Sequence, residues 1–127
     1  MREVKARGSA AVTWTRAPFV DGQIDLGSHF AGAMNVVGYA RLVLEADRAS
    51  VLHLSMGSDD GLAVFLGGKR VFAHDALRSL RRGEDEVELP LAAGRNELLF
   101  KVTQGGGQWG LAVEAQVRGR GTVRQIE

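Results

Sequence analysis

Period-two alternation of apolar and polar residues dominates this chain. In Glu86-Val87-Glu88-Leu89-Pro90-Leu91 three apolar side chains fall on one face and two carboxylates on the other, the pattern of a half-buried strand. Pro90 has no ladder donor and sits on the outward parity, so this strand is expected at or near a sheet edge. The same alternation recurs in Val51-Leu52-His53-Leu54-Ser55-Met56, Leu62-Ala63-Val64-Phe65-Leu66, Leu98-Leu99-Phe100-Lys101-Val102 and Leu111-Ala112-Val113-Glu114-Ala115-Gln116-Val117. Further strands are predicted over 11–15, 24–26, 36–46 and 70–74, each bounded by Gly, Asp, Asn or Ser. Leu52, Leu54, Leu89, Phe100, Val102, Leu111 and Val113 occupy the apolar parity and form the predicted core.

The punctuation between these runs is regular: Ser58-Asp59-Asp60-Gly61, Gly67-Gly68-Lys69, Ala92-Ala93-Gly94-Arg95-Asn96 and Gln104-Gly105-Gly106-Gly107-Gln108. Gly67-Gly68 suits a two-residue type I′ hairpin turn, whose central positions both need positive φ. A helix is expected at most once, over 75–82, with Asp75 as its N-cap and Gly83 closing it. The sequence thus predicts an all-β, jelly-roll-like sandwich of two antiparallel sheets. It reads as a single domain over 1–127, with its core at about 11–118 and a tail at 119–127 that lacks apolar alternation and is either frayed or a link onward.

Composition narrows the function. At 127 residues and 45% hydrophobic content the chain can bury a core of its own, which excludes disorder. A net charge of +1 supplies no field to hold nucleic acid. No apolar run approaches the roughly 20 residues of a membrane span, and Met1 to Lys5 leads into no apolar signal segment. The absence of cysteine excludes disulfides, a thiolate nucleophile and cysteine-ligated zinc.

Enzymatic motifs are missing. Gly105, Gly107 and Gly110 match G-x-G-x-x-G, but a strand follows where the dinucleotide fingerprint requires a helix. His29, His53 and His74 stand in no metal-ligand spacing, and His53 faces outward from its strand. No G-x-S-x-G elbow exists. Glu84, Asp85, Glu86 and Glu88 read as a solvated edge rather than a glycosidase pair, and Arg78, Arg81 and Arg82 as a solvated basic face. The chain is therefore expected not to be an enzyme.

The informative motif is Ser58-Asp59-Asp60-Gly61. Adjacent carboxylates at a strand end, before a glycine, either hold Ca²⁺ together with carbonyls of a neighbouring loop or cap loop amides as Asx-turns do. Trp109, beside Gln104 and Gln108, either stacks on a sugar face while the amides bond its hydroxyls, or joins the core with Leu111 and Val113, whose parity it shares.

The order Phe19-Val20-Asp21-Gly22, Gly38-Tyr39-Ala40, Ser58-Asp59-Asp60-Gly61, Gly67-Gly68-Lys69, Gly94-Arg95-Asn96 and Gly105-Gly106-Gly107-Gln108-Trp109-Gly110 resembles PA14-like and galactose-binding-like β-sandwich domains. The resemblance runs from about Phe19 to Val117. It departs at Phe65 and Gly67-Gly68-Lys69, where such domains carry a tryptophan-bearing strand and Asn-Gly-Lys. It implies a non-catalytic accessory module of the kind appended to bacterial glycoside hydrolases, in an extracellular or periplasmic setting. Its partner would be a glycan, bound by Asp59, Asp60, Gln104, Gln108 and Trp109, with calcium held by Asp59 and Asp60. The alternative is a structural or protein-interaction module that packs on a neighbouring domain or self-associates.

Overall fold

A computed structural model of the chain describes residues 3–7, 15–16, 23–26, 36–75, 80–104 and 110–126. These residues contain strands β1 (Glu3–Arg7), β2 (Thr15–Arg16), β3 (Gln23–Asp25), β4 (Val36–Ala46), β5 (Ser50–Ser58), β6 (Leu62–Leu66), β7 (Lys69–His74), β8 (Asp85–Leu91), β9 (Gly94–Gln104), β10 (Gly110–Arg118) and β11 (Val123–Gln125). One sheet runs β2-β1-β4-β9-β6-β7, with β11 also on β4; the other runs β3-β10-β5-β8. Every pairing is antiparallel. The structure is the sandwich of two antiparallel sheets that the alternation predicts, and among the described residues no helix is long and apolar enough to cross a membrane.

The connections explain how two layers arise. Apart from the β6–β7 hairpin and the β1–β2 pair, consecutive strands from β4 onward lie in different sheets, so the turn after β5, the two residues after β8 and the segment between β7 and β8 each carry the chain across the core. The hairpin itself follows from Gly67 and Gly68, at φ 57° and 84°, the positive pair that a type I′ turn demands. After β8 the crossing is fixed by buried Asn96, which donates to the carbonyls of Ala92 and Gly94 (2.9 and 3.1 Å) and accepts from the Ala92 amide (3.1 Å). Asparagine at that position replaces backbone partners that a sharp corner cannot supply.

The core lies between the inner faces. Leu52, Leu54, Leu89, Phe100, Val102 and Leu111 are all at most 2% exposed, as their parity predicts, while Val113 packs on the fringe, partly buried. Pro90 faces out from β8, which among the described residues is an edge strand with β5 as its one neighbour. Long β4 takes β9 along its whole length on one side, and β1 and β11 end to end on the other. Of the strand predicted over 11–15, only Thr15 lies within the described residues, in β2. Of the helix predicted over 75–82, residues 76–79 lie outside them, and Arg82 and Gly83 form a turn.

One close approach places the segment after β7. An added Cβ at Gly57 would meet the Arg81 carbonyl oxygen at 1.8 Å, so residues 80–84 lie directly on the outer face of the four-stranded sheet. There Arg82 reaches Glu114 of β10 at 3.6 Å. The basic cluster is thus partly spent on a neighbouring carboxylate rather than wholly solvated.

Candidate functional site at one end of the sandwich

The Ser58-Asp59-Asp60-Gly61 turn joins β5 of one sheet to β6 of the other, and hydrogen bonds clamp it on both sides. The Asp59 amide donates to the Gly110 carbonyl at the start of β10 (3.0 Å). The Gly61 amide donates to Thr103 Oγ1 on β9 (2.9 Å), and the Thr103 amide donates back to the Gly61 carbonyl (3.0 Å). Buried Ser58 donates its hydroxyl to the Asp60 carbonyl (2.7 Å). This holds Asp60 at φ 70°, a left-handed conformation that aspartate tolerates better than most residues.

The two carboxylates differ in setting. Asp60 is buried, at 7% exposure, whereas Asp59 is half-buried. Burial, and next to it the charge of Asp60, pushes the Asp59 carboxyl above its ordinary value of 3.8. Its side chain caps no amide among the described residues, so for Asp59 the Asx-turn reading finds no partner there. Nor is a group of three or more His, Asp or Glu side chains gathered for a metal among those residues. The Gln104 backbone closes β9 opposite Val36, one residue beyond the Thr103 that grips the turn, so its position belongs to this end of the sandwich. Gln108, Trp109 and His29 lie outside the described residues.

Beside the turn opens a trough of about 240 Å³, lined chiefly by Gly61, Ala63, Arg70, Asp75, Lys101 and Thr103. It arises from register. At the trough, Gly61 and the Ala63 methyl of the middle strand β6 form a low floor, while β9 on one side contributes Thr103 and Lys101, and β7 and its end contribute Arg70, Ala73 and Asp75 on the other. A Cβ at Gly61 would stand 2.7 Å from Thr103 Oγ1 and 3.4 Å from Asp75 Oδ1, which measures how closely these groups converge over the glycine. The sequence reading missed this set. Outward parity marks each member, but nothing in the sequence places β6 between β9 and β7.

Two further residues correct the sequence reading. Asp85, taken as part of a solvated edge, is 5% exposed and accepts or shares a 2.8 Å hydrogen bond with His74 Nδ1. The bond links β7 of one sheet to β8 of the other. Its signal was present, because Asp85 shares the parity of Val87, Leu89 and Leu91. His53 does face outward, but Glu86 (3.4 Å) and Glu88 (3.6 Å) flank it and leave its side chain 18% exposed. Its Nδ1 is buried and makes no hydrogen bond among the described residues.

No protein-family model matches the chain, and no curated protein does. Solved structures do match. The PA14 domain of the MpAFP antifreeze protein superposes with a TM-score of 0.52 at 14% identity, over 65% of this chain and 45% of that one. A family 35 carbohydrate binding module from an environmental isolate gives 0.51 at 15% identity, over 75% and 73%. A β-glucosidase from Kluyveromyces marxianus, in complex with glucose, gives 0.61 at 10% identity, over 94% of this chain but 17% of that one. The chain therefore spans less than half of the PA14 chain it matches and a small part of the glucosidase. At such identities the likeness is one of fold: this chain has the β-sandwich fold shared by PA14 domains and carbohydrate-binding modules.

Proposed function

We propose that the chain is a non-catalytic carbohydrate-binding module whose site lies where the Asp59–Gly61 turn meets the trough. The observation that carries this reading is the trough itself, a concavity at the loop end with a hydroxyl (Thr103), a carboxylate (Asp75) and cations (Lys101, Arg70) around a small-residue floor. Sugars present hydroxyls that both donate and accept, and such a mixed rim serves both roles. The fold likeness to a carbohydrate binding module supports it. Gln104, Gln108 and Trp109 would add contacts from the connection after β9. Asp59 and Asp60 supply hard oxygen donors for Ca²⁺, and the burial and mutual charge that raise the Asp59 carboxyl are what a bound divalent cation relieves. When bound, the ion would add coordination of sugar hydroxyls. Affinity would be modest, because a shallow site buries little ligand.

A glycan array read with Ca²⁺ and with chelator tests the proposal. Binding of defined glycans, lost in Ala63→Leu, which fills the trough, is the expected result. Silence on every glycan under both conditions overturns it. It would favour a module that packs on a neighbouring domain, the reading suggested by the match to part of a much larger β-glucosidase chain.

A further inference from the structure

We infer that the trough selects saccharides carrying an anionic group, carboxylate or sulfate, with Lys101 and Arg70 as its specificity-determining residues; this rests on the carbohydrate reading and narrows it. Arg41 and Arg124 reach a carboxylate of the adjacent strand at 3.1 and 2.7 Å, Arg118 reaches Glu88 across β5 at 3.7 Å, and Arg82 reaches Glu114 at 3.6 Å. Lys101 and Arg70 form no ion pair among the described residues, although Lys101 sits mid-strand on β9, the strand from which Glu97 pairs Arg41. Their outward neighbours explain it. Lys101 stands opposite Ala63 on one side and Tyr39 on the other, and Arg70 opposite Phe65. Among the described residues the register therefore sets no carboxylate directly opposite either cation, and both line the same concavity, with Asp75 across the Gly61 floor.

Chemistry at the other end of the trough specifies the rest of the ligand. Thr103 Oγ1 accepts from the Gly61 amide, which leaves its own proton free to donate. Asp75 lies exposed across the Gly61 floor and offers a carboxylate to accept from hydroxyls. A ligand satisfying all four groups is hydroxylated at one end and anionic at the other. The volume of about 240 Å³ falls below the range of roughly 300–1,000 Å³ typical of drug-sized ligands, so it holds about one residue of a chain. Lys101 is half-buried beside Ala63, where water screens less, so an anion placed there interacts more strongly than at an open surface. A neutral sugar gains none of this.

The test is isothermal titration of the whole chain with three probes of equal length: an oligogalacturonate, a sulfated galactan oligosaccharide and a neutral galactan oligosaccharide. One or both anionic probes should bind about tenfold or more tightly than the neutral one, weakening as sodium chloride is raised. Lys101→Met, which keeps the apolar stem, and Arg70→Gln should each remove that preference, read as the ratio of anionic to neutral affinity within the same variant. Ala63→Leu should abolish anionic binding, with circular dichroism and melting verifying that each variant folds. The carboxylated and sulfated arms tell which anion is read. Equal binding of neutral and anionic probes, or a preference unaltered in Lys101→Met and Arg70→Gln, overturns this inference and leaves the carbohydrate reading standing. No binding of any probe overturns this inference, and silence on the glycan array as well overturns both.

Discussion

At the residue scale the sharpest consequence concerns Asp59. Its folded-state carboxyl titrates above the ordinary 3.8, so the folded chain holds that proton more tightly than the unfolded one. Ionised Asp59 therefore destabilises the fold above its raised value, and the penalty is lifted as pH falls through that value toward 3.8. In Ca²⁺-free buffer Asp59→Asn should raise the melting temperature at neutral pH, and the gain should vanish below about pH 4. A loss of stability at neutral pH would show that the carboxylate is held by bonds instead. Asp85 differs in its contacts, being buried with a hydrogen-bond partner, His74 Nδ1, at 2.8 Å. Asp85→Ala should cost about 1.5–3 kcal/mol in denaturant unfolding, the range for a hydrogen bond to a charged group. Both residues stood in charged clusters in the sequence. Parity alone distinguished Asp85, in phase with Leu89 and Leu91, from outward Glu86 and Glu88, whereas nothing in the string Ser58-Asp59-Asp60-Gly61 told that Asp60 would be buried and Asp59 half-exposed.

At the element scale, strands long enough to alternate were legible and short ones were not. β4 begins and ends where the sequence places it, at Val36 and Ala46, while β11 has three residues and no room for a pattern. What holds β11 is the free edge of β4, with Val123 opposite Ala46 and Arg124 pairing Glu45 at 2.7 Å. The core strands make firmer predictions. Phe100, 1% exposed in the middle of β9, should cost about 3–5 kcal/mol on replacement by alanine, read as a lowered unfolding midpoint. Gly57 on β5 matters for a different reason, since Arg81 presses its backbone where a side chain would go. Gly57→Ala should displace residues 80–84 from the sheet, and proteolysis between Arg81 and Arg82 should accelerate well before global unfolding does. Wild-type cleavage rates in that variant would mean that the strand yields instead.

At the scale of the whole molecule, the two sheets meet at an end where β5, β6, β9 and β10 exchange hydrogen bonds through one turn, and any cation bound there would couple to the stability of both layers. If Asp59 and Asp60 hold Ca²⁺, millimolar calcium should raise the melting temperature and chelator should reverse it, by mass action on the folded state. A melting curve indifferent to both removes the metal from the proposal without touching the trough. Calcium stabilisation with no glycan binding keeps the metal and removes the sugar.

Local chemistry was written in the sequence: alternation assigned faces, Gly67-Gly68 set the hairpin, Pro90 marked an edge, and Ser58-Asp59-Asp60-Gly61 identified the end of the sandwich where polar groups gather. Those features depend on each residue and its near neighbours, whose geometry is fixed by period two and by allowed backbone angles. The trough is another matter. Ala63, Lys101, Arg70 and Asp75 come from three segments, and they share a concavity because β6 pairs with β9 on one side and β7 on the other in one particular register. Strand order across two sheets is settled by the burial of all the inner faces at once, so the described neighbours of Lys101, Ala63 and Tyr39 rather than a carboxylate, were decided only by the tertiary structure.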